Sequence, residues 1–213
     1  MPAANFVQTA QGDMMVATQA IQNNTARYDT YVVLAAAAMP VTIPFFEVPR
    51  NQAGSGFARV KSYAETNMAV ARQLENPVAM DVRRIIVSVI PYGSALNVLA
   101  TMNVVKNVLE DSIVRFTVSD TLYYEIHLLW CGGTGITGMI ANGGAADGFV
   151  GAYSGIAGRE DLQIPIPIRS RENFKLEIIR NTNNTLLDDV LPSDTNLRFR
   201  VYLEGVIARP IDA

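Results

Sequence analysis

Eight residues near the C-terminal end constrain this chain most. In Leu197-Arg198-Phe199-Arg200-Val201-Tyr202-Leu203-Glu204 every odd position is apolar, and every even one is charged or Tyr. A period of two turns one face of an extended segment to a core and the other to water or a partner. Phe174, Leu176 and Ile178 alternate with Lys175 and Glu177 in the same way. Ile113 to Val118 and Leu122 to Trp130 flank Ser119-Asp120-Thr121, a turn-type linker, and predict a hairpin. Its second strand would place Leu122, Tyr124, Ile126, Leu128 and Trp130 on one face. Arg83 to Ile90 is nearly continuously apolar after its arginines, as in a central strand covered on both faces. Leu162 to Ile168 alternates but carries Pro165 and Pro167, and Val41 to Val48 carries Pro44. Proline cannot donate to a ladder, so these segments belong at an edge or run into a loop. Tyr28 to Leu34 and Phe57 to Tyr63 complete a set of eight or nine strands.

Helical patterns are few. Met102, Val105, Val108 and Leu109 form an apolar stripe on a short helix leading into the hairpin. Ser62 with Glu65 could cap a helix reaching Leu74; the same residues fit a strand followed by a loop, which is the preferred reading. Gly132 to Gly158 is rich in glycine and has no lysine or arginine before Arg159. It predicts a loop of about 27 residues, long for a compact domain and usually functional or disordered. Antiparallel strands with short turns and some long excursions describe two sheets face to face, in a jelly roll or an immunoglobulin-like sandwich. Cys131 is the single cysteine, so the Cys…Trp…Cys pattern of immunoglobulins is absent. Irregular strand spacing favours the jelly roll. The expected fold class is therefore all-β: a single jelly-roll antiparallel sandwich of about eight strands, with one or two short helices and the Gly-rich loop. Residues 1–27, rich in Ala, Gln, Asn and Thr, read as an N-terminal arm, extended or with a short helix around Met14 to Ile21. Residues 28–213 form the sandwich domain.

Only 17% of the 213 residues are charged, below the roughly 25% of typical soluble domains, which points to a surface partly covered by neighbouring subunits. A monomer with a polar, uncharged surface is the alternative. The net charge is −3. The basic residues are scattered as Arg83-Arg84, Arg169/Arg171 and Arg198/Arg200, too sparse for phosphate neutralisation along one face. Direct nucleic-acid binding is therefore not expected. No signal peptide is evident, and the apolar stretch Tyr31 to Phe46 is broken by prolines and short of the roughly 20 residues a spanning helix needs. Intracellular synthesis is the default expectation.

Chemical motifs are weak. Gly133-Thr134-Gly135-Ile136-Thr137-Gly138 matches GxGxxG, but more glycine follows where a dinucleotide site requires a helix. His127 and Cys131 lie about 13 Å apart if the strand stays extended, too far for a nucleophile–base pair. Glu110-Asp111, Glu160-Asp161 and Asp188-Asp189 with Asp194 lack a calcium-loop spacing and read as solvated turns. Asn23-Asn24-Thr25 and Asn183-Asn184-Thr185 fit the glycosylation sequon, idle without secretion. No catalytic, cofactor-binding or metal-binding residue is expected, and the chain is not read as an enzyme.

An ordered set of segments resembles a known family. Glu65-Thr66-Asn67-Met68 precedes Gln73-Leu74 and Pro77, then the long strand Arg83 to Ile90. The helix and hairpin of Glu110 to Trp130 follow, then the Gly-rich loop, Ile164-Pro165-Ile166-Pro167-Ile168 and Glu172-Asn173-Phe174-Lys175-Leu176. The series closes with Val201 to Pro210. In this order they resemble jelly-roll coat proteins of tailless icosahedral bacteriophages, including those with an internal membrane. The resemblance covers roughly residues 57 to 210. The length implies a single rather than a double jelly roll, in a major, penton or minor coat role. It implies a structural virion protein assembled in the host cytoplasm. Its partners would be copies of itself as trimer or pentamer and other virion proteins, and a viral membrane could lie beneath the shell. A carbohydrate- or receptor-binding sandwich using Tyr123, Tyr153 and Tyr202 is the alternative, and a small nucleotide-binding enzyme a third.

Overall fold

The computed structural model describes residues 6–8, 14–16, 26–92, 104–105, 107–131, 162–181, 190–191, 193 and 195–208. The chain is all-β with antiparallel sheets. Strands β1 (Phe6–Gln8) and β2 (Met14–Val16) pair with each other. Met14 to Val16 is therefore extended, not the start of a helix as one reading of the arm had it.

The two longest strands, β7 (Ala79–Tyr92) and β12 (Asn196–Ala208), pair along thirteen rows. They lie between β3 (Arg27–Val33), which flanks β12, and β10 (Ile166–Ile168), which flanks β7. The second sheet runs β4 (Thr42–Phe45), β11 (Phe174–Arg180), β8 (Ser112–Val118) and β9 (Thr121–His127). A further two-stranded sheet joins β5 (Ala53–Gly54) to β6 (Phe57–Val60). The prolines act as their chemistry requires: β10 and β4, which contain Pro167 and Pro44, are both edge strands.

Alternation decides which residues face inward. Leu197, Phe199, Val201 and Leu203 of β12 are all buried, as are Phe174, Leu176 and Ile178 of β11 and Val114, Phe116 and Val118 of β8. Together they belong to one hydrophobic core shared by both sheets, with Phe174 lying 5.3 Å from Phe46 and 6.2 Å from Phe116 between ring centroids. Removing such a phenyl ring would cost about 3–5 kcal/mol.

The near-continuous apolar run of β7 has a specific cause. Its buried core residues are Met80 and Val82, then Ile85, Val87 and Val89, so the inward parity switches between Val82 and Ile85. A bulge allows this: Glu204 faces Arg84 and Gly205 faces Val82, leaving Arg83 as the extra residue. β12 keeps its parity because the extra residue lies on β7, and the strands can approach closely here because position 205 is glycine. A Cβ there would lie 1.9 Å from the Asp81 carbonyl oxygen. The outward residues of β7 are unevenly covered, with Ser88 buried, Ile86 half-buried and Ile90 exposed. Cover on both faces is thus partial.

The β8–β9 hairpin turns through Ser119 and Asp120, both at positive φ (47° and 64°), the left-handed pair that a two-residue hairpin turn needs. A bulge next to it opposes Thr117 to Leu122 and Phe116 to Tyr124. The expected single face Leu122–Tyr124–Ile126–Leu128–Trp130 is therefore not formed. Tyr123 is the extra residue and Leu122 is exposed, while Tyr124 and Ile126 pack on the core. The strand ends at His127, and Leu128–Trp130 form a 3₁₀ turn. Residues 104–105 and 107–110 are helical, with Val104, Val105 and Val108 buried. Residues 61–74 form turns and bends and no helix. The Glu65 side chain nevertheless accepts from the Ser62 backbone N–H at 2.7 Å and from its hydroxyl, so the capping-box chemistry is used to tighten a loop.

Candidate functional site

The residues singled out for chemistry in the sequence do not converge. Both ring nitrogens of His127 are engaged with backbone: Nε2 lies 2.6 Å from the Glu110 carbonyl oxygen, and Nδ1 accepts from the Leu129 N–H at 3.4 Å. Cys131 follows the 3₁₀ turn rather than a strand, so the extended-chain separation from His127 does not apply. Its thiol is buried, and burial pushes its pKa up to about 12, opposed by a hydrogen bond to Tyr124. A thiol held protonated in this way is not a nucleophile at neutral pH. Asp111 and Glu110 sit at the helix-to-β8 junction. Among the described residues no group of three or more His, Cys, Asp or Glu could hold a metal ion. Gly133 to Gly138, Tyr153, Glu160-Asp161, Asp188-Asp189, Asp194 and both sequons lie outside the described residues. Tyr123 is on β9 at the end of one sheet, whereas Tyr202 is on β12 inside the other, packed 6.0 Å from Tyr28. The aromatic face proposed from the sequence is therefore not assembled from these two.

The fold instead sets up a contrast between sheet edges. Unpaired N–H and C=O groups along an edge are a template for another chain, so soluble proteins cover or interrupt them. β3 is covered by the excursion 46–78. The Val32 N–H donates to the Ser55 carbonyl at 2.9 Å. Asn67 replaces a missing strand: its Oδ1 accepts from the Tyr28 N–H at 3.0 Å and its Nδ2 donates to the Ala26 carbonyl at 2.8 Å. Thr66 Oγ1 donates to the Tyr28 carbonyl at 3.2 Å. The approach is so close that a Cβ at Gly56 (φ +77°) would lie 1.7 Å from the Val32 carbonyl oxygen.

A buried ion pair anchors the excursion. Asp29 shares the inward parity of Val33 on β3, and faces Val201 across the ladder. Lys61 Nζ lies 2.6 Å from Asp29 Oδ1, and the two side chains are 0% and 1% exposed. The Phe46 N–H donates to Asp29 Oδ2 at 2.7 Å. Burial raises the Asp29 pKa and lowers that of Lys61, while each charge opposes the shift of the other. Close by, Glu65 accepts from Arg59 at 2.8 and 3.3 Å. Hydrogen bonding from Arg59, then from Ser62, holds the Glu65 pKa down to about 2 against the cost of burial. Sequence reasoning missed this cluster. The available signal was Asp29 itself: a charged residue at an inward position of a strand demands a buried partner.

The other edges differ. β4 and β10 carry prolines. β9, last in its sheet, carries neither proline nor lysine, and none of the described strands pairs with its outer side. Its Leu122 and Tyr123 are 52% and 47% exposed, and Leu129 just beyond it is exposed as well. Its one carboxylate, Glu125, is paired within the subunit with Arg115, whose Nε lies 2.7 Å away.

Compared with family models, with curated proteins and with solved structures, the chain matches none.

Proposed function

We propose that this protein is a self-assembling structural subunit of an icosahedral phage shell, built on a single jelly roll. The observation that carries the reading is the strand order. Taken along the chain, β3, β4, β7, β8, β9, β10, β11 and β12 distribute into the orders 10-7-12-3 and 4-11-8-9. Each sheet thus interleaves strands from both ends of the chain, and β8–β9 is the one hairpin in them joining neighbours in sequence. That order fits the two Greek keys of a jelly roll, an architecture used by viral coat and lectin domains. The choice of a shell over a lectin draws on three further features. The charge is sparse, the buried polar groups described above are consumed by structure, and Tyr123 and Tyr202 do not share a face.

In this role the sandwich is a rigid block whose flanks meet copies of itself under closed rotational symmetry. Each contact would need roughly 800 Å² per partner to be stable. The partners are other copies, as trimers or pentamers, and other virion proteins. Size-exclusion chromatography with light scattering, followed by electron microscopy of the full chain, tests the reading. Trimers, pentamers or particles are the expected result. A strict monomer at every concentration tested would refute it, and binding on a glycan array would favour the lectin alternative.

A further inference from the structure

We propose that two copies of this chain associate through the β9 edge, adding strand to strand so that the β4-β11-β8-β9 sheet continues across the contact. The inference rests on the self-association proposed for the shell subunit. It adds to it a two-fold contact between neighbouring trimers or pentamers, since an isologous strand pair does not itself close a three- or five-fold ring. Strand addition gains main-chain hydrogen bonds at an open edge and specificity from the flanking side chains. Three of the four edges of the large sheets are unsuited. β3 is occupied by Asn67, Thr66 and Ser55 of its own chain, and β4 and β10 lack donors at Pro44 and Pro167.

β9 carries a bulge at Tyr123 but no proline, and its chemistry selects a second copy as the occupant. An antiparallel pair related by a two-fold axis sets each strand against itself, so any uncompensated charge would meet its like. Thr121, Leu122 and Tyr123 are uncharged, and Glu125 is already paired with Arg115 of its own subunit. Two β9 edges therefore meet with no unpaired like charges. A strongly charged partner would find nothing on this edge to complement it. The exposed Leu122 and Tyr123 would bury against the second copy.

Variants of the full chain with one added cysteine each test the assignment. Thr121→Cys, Tyr123→Cys and Glu125→Cys are oxidised mildly near pH 8 and compared with Tyr63→Cys, exposed on the covered flank. The native Cys131, buried and protonated, serves as the silent background. At least one β9 position is expected to give covalent dimers, and Tyr63→Cys none. In parallel, Leu122→Lys places a charge in the apolar contact and should weaken this two-fold association by about tenfold or more, with thermal unfolding checking that the subunit still folds. Association that survives Leu122→Lys unchanged, with no β9 cross-link, overturns this assignment and leaves the shell reading standing. Wild-type protein that never associates overturns both.

Discussion

The two flanks of the molecule are finished in opposite ways. At the β3 flank the chain devotes more than thirty residues, 46–78, to covering one strand, and pins them with Asp29 and Lys61 at 2.6 Å in the interior. At the β9 flank a seven-residue edge strand is left bare by the described residues, with Leu122 and Tyr123 facing solvent. Hydrophobic burial alone would treat the flanks alike, since both border the same core. The difference lies in polar groups. The covered flank satisfies its backbone and an inward carboxylate within the chain, whereas the bare one has no strand partner on its outer side among the described residues.

The largest expected effect comes from breaking the anchor of the covered flank. Lys61→Met leaves the Asp29 carboxylate buried without its cation, and loss of one partner of such a pair costs about 3–5 kcal/mol. Urea unfolding should show this. The Asp29→Asn/Lys61→Met double variant should recover part of the loss, because asparagine keeps an acceptor for the Phe46 N–H. Additive losses would mean that the two residues act independently.

Gly56→Ala attacks the same flank through the backbone. A methyl group 1.7 Å from the Val32 carbonyl at a left-handed φ must push the excursion off β3, at about 1–3 kcal/mol. Faster hydrogen exchange at Tyr28 and Val32 is the expected signature, with the β8–β9 hairpin unaffected. Equal loosening of both flanks would erase the distinction between them.

Acid should loosen the covered flank as well. The Glu65 carboxyl is depressed from 4.5 to about 2. A group whose folded pKa is lowered stabilises above its unfolded pKa and loses that contribution as pH falls through the folded one. Stability should therefore decline between about pH 4.5 and 2, and Glu65→Gln should flatten that slope. An unchanged slope would show that the Arg59–Glu65–Ser62 contacts add nothing measurable.

The smallest effect on folding belongs to the bare flank. Leu122 is half exposed, so Leu122→Lys should shift unfolding stability by no more than about 0.5 kcal/mol, even as it weakens association. A large destabilisation would mean that Leu122 serves the core and not a contact.

The amino-acid order by itself determined the strand interiors of this protein. Leu197 to Glu204, Phe174 to Ile178 and Ile113 to Val118 alternate because each has one wet and one dry face, and the periodicity of two records that locally. The edge placement of the segments containing Pro44 and Pro167 was equally local, since a missing N–H is a property of one residue. Tertiary structure alone decided the rest. The bulges at Arg83 and Tyr123 change which parity faces inward, and they depend on the partner strand: a glycine at 205 in one case, a two-residue turn in the other. The pairing of Asp29 with Lys61 and the use of Asn67 as a surrogate strand join positions more than thirty residues apart. No local pattern encodes such contacts, because the carboxylate and the cation become partners only once both are removed from water.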